Sequence, residues 1–151
     1  MSFQFSLAAV LRLRQSLEDR ERLRLEGLHA RQAALLHELQ QNRDTCKRMQ
    51  ASVRRSLQKA LTPAGELQFF NTVGESFAGQ RRQLQAALQS LRREIATQEK
   101  QYAEQRQERE ILETLRQARL AEYRIQQQRR EQAALDELHL LRRHCSRAGF
   151  S

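Results

Sequence analysis

The chain has 151 residues, of which 5% are aromatic and 30% are charged, and it contains no tryptophan. With a mean hydropathy of −0.80, it has too few apolar side chains to build a large compact core. A composition dominated by Leu, Ala, Glu, Arg and Gln is instead typical of long helices and coiled coils. Disorder is the alternative for so polar a chain, but leucines recur at regular spacing and helix breakers are rare outside one segment.

The charge of the chain is strongly positive. Lys and Arg number 27 against 18 Asp and Glu, for a formal net charge of +9. A positive field favours acidic partners, namely nucleic acid, anionic lipid or an acidic protein surface. The densest basic run, Arg43 to Lys59, contains no aromatic side chain on which a base could stack, so it would touch phosphate at most. A basic coiled-coil scaffold or nucleic-acid-binding protein is therefore the alternative function rather than the preferred one.

The sequence offers little material for catalysis, metal binding or membrane insertion. Its two cysteines, Cys46 and Cys145, do not form a disulfide framework, which fits a reducing compartment. No Gly-rich phosphate loop and no catalytic or metal-binding motif occurs. The apolar start FSLAAVL runs directly into Arg12 and Arg14, unlike a signal peptide, and no apolar run approaches the ~20 residues that span a bilayer. We expect a protein that is not an enzyme and binds no cofactor.

The first helix is predicted over about residues 6–61, with Ser6 as its N-cap. A first apolar stripe and a second one are separated by the eleven residues from Leu17 to Leu28, which predicts a hendecad-like interruption of the heptads. Asn42 falls in the second stripe, where a polar side chain fixes register at a cost in stability. The first stripe is Leu7, Val10, Leu13 and Leu17, and the second is Leu25, Leu28, Leu35, Leu39, Met49 and Val53, with Asn42 and Cys46 between its members.

The segment LTPAGELQFFNTVGESFAG separates this helix from the next and holds the only proline. We predict a tip over about residues 62–79, containing a short helix from Glu66 to Phe77, and a second long helix over about 80–146. A reversal at Pro63 would place Leu7 opposite about residue 120, whereas a reversal near Asn71 places the first stripe opposite about residue 135. The second register matches the helix lengths better. The predicted second seam is Leu84, Leu88, Leu91, Ile95, Gln98, Tyr102, Gln105, Arg109, Leu112, Leu115 and Tyr123, with Leu138 and Leu141 near the end.

The predicted fold is therefore all-α: one domain, residues 1–151, with two long helices in an antiparallel coiled-coil hairpin and a short capping element at the tip. Four apolar residues of the tip fit one face of a short helix: Phe69, Phe70, Val73 and Phe77. They either plug the end of the hairpin or form an exposed patch for a partner, and both interpretations remain open.

The two ends of the chain resemble one protein family. The opening FQFSLAAVLRLRQSLEDRER is similar to the start of FliJ-family proteins, Phe-x-Phe-x-Leu-x-x-Val-Leu-x-x-Arg. The matching residues are Phe3, Phe5, Leu7, Val10, Leu11 and Arg14. The later stretch ILETLRQARLAEYRIQQQRREQAALDEL resembles that family's C-terminal pattern, through Leu112, Leu115, Tyr123, Arg130, Glu131, Gln132, Asp136 and Glu137.

This resemblance implies a flagellar type III export component, a monomeric hairpin similar to the central stalk of rotary ATP synthases. Its paired ends would insert into the hexameric ring of a FliI-like export ATPase, and its far end would reach a FlhA-like export gate. It would also handle export chaperones, in the cytoplasm and peripheral to the inner membrane. The related injectisome stalks share this architecture, so a virulence-type system stays open.

The resemblance also assigns candidate contacts. Those for the ATPase are Phe5, Leu7, Val10, Leu11, Arg14, Arg130, Asp136 and Glu137. No family motif matches the tip. Phe69, Phe70, Val73 and Phe77 are assigned to the export gate because they are apolar and lie at the predicted tip.

Overall fold

A computed structural model describes residues 2–59 and 63–149 of the chain. These residues form an all-α hairpin of two long helices, and none of the described residues lies in a strand. Helix α1 is Ala8–Gln58, with 51 residues, and helix α2 is Ala64–Ala148, with 85 residues. The predicted fold class is confirmed.

The helix ends follow from local hydrogen bonding. The Ala8 N–H donates to the Phe5 carbonyl at 3.0 Å as α1 begins. The Pro63 carbonyl accepts the Glu66 N–H at 3.0 Å and so opens α2, where the fixed φ of proline suits a helix start. Glu66 lies in the first turn of α2 and Arg55 in the last turn of α1, each at the end where the helix dipole favours its charge.

The bounds of α2 correct the prediction of a separate capping element at the tip. Residues 64–79 are the first turns of α2, and the short helix predicted from Glu66 to Phe77 is part of it. Gly65 and Gly74 both lie inside the helix, and no glycine of the described residues has a positive φ. A glycine within a helix costs only about 1 kcal/mol, which does not end a helix that packs along a partner. The predicted end of the first helix at residue 61 and the start of the tip at residue 62 lie outside the described residues.

The observed register of the hairpin corresponds to a reversal close to Pro63, and the predicted reversal near Asn71 is wrong. The rings of Phe3 and Tyr123 lie 5.6 Å apart, so the start of α1 meets α2 near residue 120 rather than 135. Asn42 donates to the Phe77 carbonyl at 3.3 Å and to Gln80 Oε1 at 3.2 Å, which agrees with a reversal close to Pro63. The length mismatch that argued against this register is real: α2 continues beyond the start of α1.

The seam of α1 is a continuous heptad pattern from Leu11 to Ser56, and the predicted hendecad-like interruption is absent. The expected first stripe was wrong, because Val10 and Leu13 are exposed. Charged residues, among them Glu18 and Glu21, occupy the seam there instead, each held by a partner on α2. The seam residues, all buried or half-buried, are Leu11, Arg14, Glu18, Glu21, Leu25, Leu28, Gln32, Leu35, Leu39, Asn42, Cys46, Met49, Val53 and Ser56.

The seam of α2 has the same spacing from Phe70 to Leu112, and it confirms the predicted second seam from Leu84 to Leu112. Within it Leu88, Leu91 and Ile95 are buried, as is Gln98. The residues are Phe70, Gly74, Phe77, Arg81, Leu84, Leu88, Leu91, Ile95, Gln98, Tyr102, Gln105, Arg109 and Leu112. Half-buried positions continue as far as Gln127, beyond which every described residue is exposed. The predicted continuation of that seam at Leu138 and Leu141 is wrong, because both side chains are exposed.

Two compact units divide the chain. The first unit comprises residues 1–18 and 105–151, and the second comprises residues 19–104. Each unit contains a part of both helices.

Candidate functional site

All eight residues predicted to face an ATPase lie in the first unit, and all four predicted to face an export gate lie in the second. The candidates thus fall into two groups that match the two compact units, and each group is described within its own unit.

The N-terminal end of the first unit is held by aromatic and aliphatic packing. Phe5 and Leu7 are half-buried, and Leu11 is only 5% exposed. The ring of Phe3 packs against Tyr123 of α2. Beside these contacts lies an open hollow of about 550 Å³, lined by Phe3, Gln4, Phe5, Ala8, Leu11, Arg12, Gln15 and Arg116. Of the N-terminal candidates, Val10 is thus the exposed apolar one, while Leu11 belongs to the core.

The ion pairs of the first unit join α1 to α2. Arg14 pairs with Glu108, and the Arg109 guanidinium donates to the Glu18 carboxylate. That hydrogen bond raises the pKa of Arg109, because it stabilises the charged guanidinium. Arg14, predicted as an ATPase contact, is therefore already neutralised inside the unit.

The C-terminal part of α2 has no helix beside it within the first unit. Every residue from 128 to 149 is exposed, including the three candidates Arg130, Asp136 and Glu137. Asp136 accepts a hydrogen bond from Gln132 at 3.2 Å, one turn earlier. Four large aliphatic side chains are also exposed in this stretch: Leu135, Leu138, Leu140 and Leu141.

The aliphatic side chains of this part of α2 were missed as functional candidates. Leu138 and Leu141 were predicted to form an apolar edge, but that edge was assigned to the hairpin seam because the predicted register paired it with α1. The three-residue step from Leu138 to Leu141 is visible in the sequence, but the incorrect register assigned both leucines to the seam rather than to an exposed surface.

The predicted gate-facing residues lie where α2 begins in the second unit. Phe69 is 64% exposed, and its ring meets Phe70 edge-on with centroids 6.1 Å apart. Phe70, Val73 and Phe77 are half-buried, and Phe70 and Phe77 occupy seam positions against α1. Phe70 and Phe77 therefore fit the interpretation of a plug that closes the hairpin, whereas Phe69 fits that of an exposed patch.

An open groove of about 660 Å³ runs beside these residues within the second unit. A Cβ added at Gly74 would lie 3.7 Å from Met49 Cε, so the missing side chain leaves a little extra room in this groove. Its apolar lining is Cys46, Met49, Val53, Phe70, Gly74 and Ala78, and its polar lining is Gln50, Arg54, Asn71, Glu75 and Arg81. The groove offers a mixed surface of the kind that protein partners use.

Within the described residues, neither group of candidates forms a metal site. Among residues 2–59 and 63–149, no three His, Cys, Asp or Glu side chains cluster closely enough to hold a metal ion. Within the same residues, neither helix has a stretch that is both apolar and long enough to cross a bilayer. The exposed surfaces are suited to binding other macromolecules.

Comparison with known proteins adds one match. The family model described as the flagellar FliJ protein matches residues 3–148, nearly the whole chain. No curated protein and no solved structure gives a significant match.

Proposed function

The chain belongs to the FliJ family, and from that premise we propose that it is a stalk that couples an export ATPase ring to an export gate. Family membership implies a component of flagellar export. The proposal adds that the first unit binds a FliI-like hexamer, that the start of α2 in the second unit binds a FlhA-like gate protein, and that the protein delivers export chaperones as a monomer. Such a protein needs no catalytic residues and no cofactor, and it acts in the cytoplasm against the inner membrane.

The observation that carries the proposal is the unpaired C-terminal part of α2. In water, an isolated helix gains most of its stability from packing an apolar face, and this part exposes four large aliphatic side chains without a partner helix in its unit. Leu135, Leu138 and Leu141 recur at steps of three and so follow one side of the helix. An apolar strip of this kind among charged residues, which include Arg130, Asp136 and Glu137, is suited to a protein partner.

The roles of the eight ATPase candidates then separate. Val10, Arg130, Asp136 and Glu137 are exposed and would contact the ring directly. Phe5, Leu7, Leu11 and Arg14 would support that surface, because their side chains are wholly or partly occupied by contacts within the unit.

The test mixes the full chain with its cognate export ATPase and measures hexamer formation and the rate of ATP hydrolysis. We expect both to increase. The double variant L138S/L141S should lose most of the increase, because it removes apolar contact without touching the seam. The matched control is L23S/L36S, which changes two exposed leucines of the second unit and should behave as the unchanged protein. No increase with the unchanged chain would refute the stalk proposal.

Gate binding is tested separately through Phe69, the exposed member of its cluster. F69S should weaken binding to the cognate gate protein and leave ATPase stimulation unchanged. Phe70 and Phe77 are less suitable, because Ser at these seam positions would also loosen the packing of α1 on α2. The control I111S removes an exposed aliphatic side chain from the first unit and should not affect gate binding. Equal gate binding by F69S and the unchanged chain would remove Phe69 from the interface.

A further inference from the structure

The basic run from Arg43 to Lys59 has no role in the function proposed above. It contains six basic residues against one acidic residue, Asp44, and so carries a net +5 of the chain's +9. All six basic side chains are exposed: Arg43, Lys47, Arg48, Arg54, Arg55 and Lys59. Within the described residues none of them forms an ion pair, whereas Arg14, Arg22 and Arg109 all do. This positive charge is thus not balanced inside the protein.

Four of these cations lie on one side of α1. Lys47 and Arg48 precede Arg54 and Arg55 by seven residues, which is two helical turns or about 10 Å. The seam residues Met49 and Val53 place the opposite side against α2. The cationic side is a shallow hollow lined by Lys47, Gln50, Ala51, Arg54 and Arg55. It therefore presents a compact set of donors for anions.

A large apolar side chain is exposed next to these cations. Leu57 is 56% exposed and follows Arg54 by three residues, so the two side chains are neighbours on the surface of α1. Apolar side chains beside Lys and Arg are the combination by which proteins bind a lipid interface, because the apolar groups enter the boundary of the acyl chains while the cations meet the headgroups.

We infer that this end of the second unit docks on an anionic phospholipid surface. Its contact surface is the cations Lys47, Arg48, Arg54 and Arg55 together with the exposed side chain of Leu57. Nucleic acid would use the cations alone, because the basic run carries no interleaved aromatic side chains and phosphates gain nothing from an exposed leucine. A lipid surface uses both parts of the patch. This docking goes beyond the stalk proposal, since it requires neither an ATPase nor a gate protein.

The test measures binding of the full chain to vesicles of phosphatidylcholine containing a quarter phosphatidylglycerol, and to vesicles of phosphatidylcholine alone. We expect binding to the anionic vesicles only, weakening as salt is raised because exposed charges are screened. Each Lys or Arg near such a surface strengthens binding about fivefold, or ~1 kcal/mol. K47E/R54E should therefore weaken binding by more than about tenfold.

The matched control is R92E/R93E, which makes the same change in net charge at two exposed positions of α2. It should weaken binding by less than about threefold, because these residues lie outside the patch. Equal losses from both variants would show that net charge alone governs binding and would overturn the proposal. Circular dichroism checks that both variants keep their helix content.

The apolar part of the patch is tested with L57S. We expect it to lower vesicle binding at high salt, where the charge contribution is screened, and to leave the salt dependence unchanged. No loss from this variant would overturn the lipid assignment. The second probe is a duplex DNA, used at a phosphate concentration equal to the lipid phosphate concentration of the vesicles. If K47E/R54E abolishes DNA binding but leaves vesicle binding intact, the patch binds nucleic acid and the proposal is wrong.

Discussion

The seams of the two units have the same heptad spacing and fill it with different side chains. In the second unit Leu39, Leu88, Leu91 and Ile95 form the buried apolar core, and Leu91 is only 4% exposed. In the first unit the seam after Leu11 is filled by ion pairs, and the Glu18 and Arg109 side chains remain 14% and 24% exposed.

This difference sets where most of the stability lies. Apolar side chains stabilise by leaving water and need no specific partner, whereas each buried charge must keep its own partner or lose stability. We therefore expect most of the folding free energy to come from the second unit. The ion pairs of the first unit, which we propose binds the ATPase, add less, because the cost of desolvating two charges offsets much of their attraction.

The largest expected effect is in the apolar seam. Leu91→Ala should lower the free energy of unfolding by about 2–5 kcal/mol, because it removes a buried side chain and leaves a cavity. Urea unfolding followed by circular dichroism measures it. Leu36→Ala, at an exposed position of the same unit, is the control and should change stability by less than about 0.5 kcal/mol. Similar losses from the two variants would mean that the second seam is not the stable core.

A smaller effect is expected in the ion-paired seam of the first unit. Glu18→Leu leaves the half-buried Arg109 with only the more distant Glu110 carboxylate, at 3.8 Å, and should cost about 1–3 kcal/mol. The double variant E18L/R109L should restore stability to the original value or above it, because paired leucines avoid the cost of desolvating two charges. Asp19→Ala breaks the exposed pair with Arg22 and should cost less than about 0.5 kcal/mol.

The double variant E18L/R109L shows whether the ion pair between Glu18 and Arg109 adds net stability. If E18L/R109L is as unstable as Glu18→Leu alone, the pair contributes net stability and the two seams are energetically alike. Urea unfolding of all four proteins separates these outcomes.

The same contrast explains which parts of the fold could be predicted from the sequence. The apolar seam from Leu25 to Val53 and that from Leu84 to Leu112 were identified, because leucines at heptad spacing are visible in the sequence. The seam near Glu18 was not, since periodicity counts apolar residues and a charged residue enters the interior only when a distant partner such as Arg109 meets it. Val10 and Leu13 were chosen in its place.

The register was wrong for a related reason. Matching helix lengths favoured a reversal near Asn71, on the assumption that α2 would be covered along its whole length. The molecule leaves the C-terminal part of α2 unpaired, and a partner outside the chain is not encoded in the hairpin's own pattern. The grouping of the ATPase candidates was nevertheless predictable, because the resemblance located them at the two ends of the chain.

Two seam amides, one in each unit, extend the comparison to effects of about 1 kcal/mol. Asn42 in the second unit donates two hydrogen bonds across the seam. Gln105 in the first has a buried Oε1 that finds no hydrogen-bond partner among the described residues. A buried polar atom without a partner costs about 1–3 kcal/mol, whereas a bonded amide costs little. Gln105→Leu should therefore stabilise the protein by more than Asn42→Leu, as measured by the urea midpoint; the reverse order would show that water satisfies Gln105.

The smallest effect is expected outside both seams, where neither burial nor pairing contributes and backbone propensity remains. Gly27 lies inside α1, and a Cβ added there would meet no atom within 4 Å. Gly27→Ala should stabilise the protein by about 0.5–1 kcal/mol, because alanine restricts the unfolded chain and favours the helix. The reverse substitution Ala33→Gly, at an exposed position of the same helix, should lose a similar amount. If Ala33→Gly destabilises but Gly27→Ala gives no gain, the helix near Gly27 is not formed in solution as described, and the continuity of the α1 seam through Leu25 and Leu28 would have to be revised.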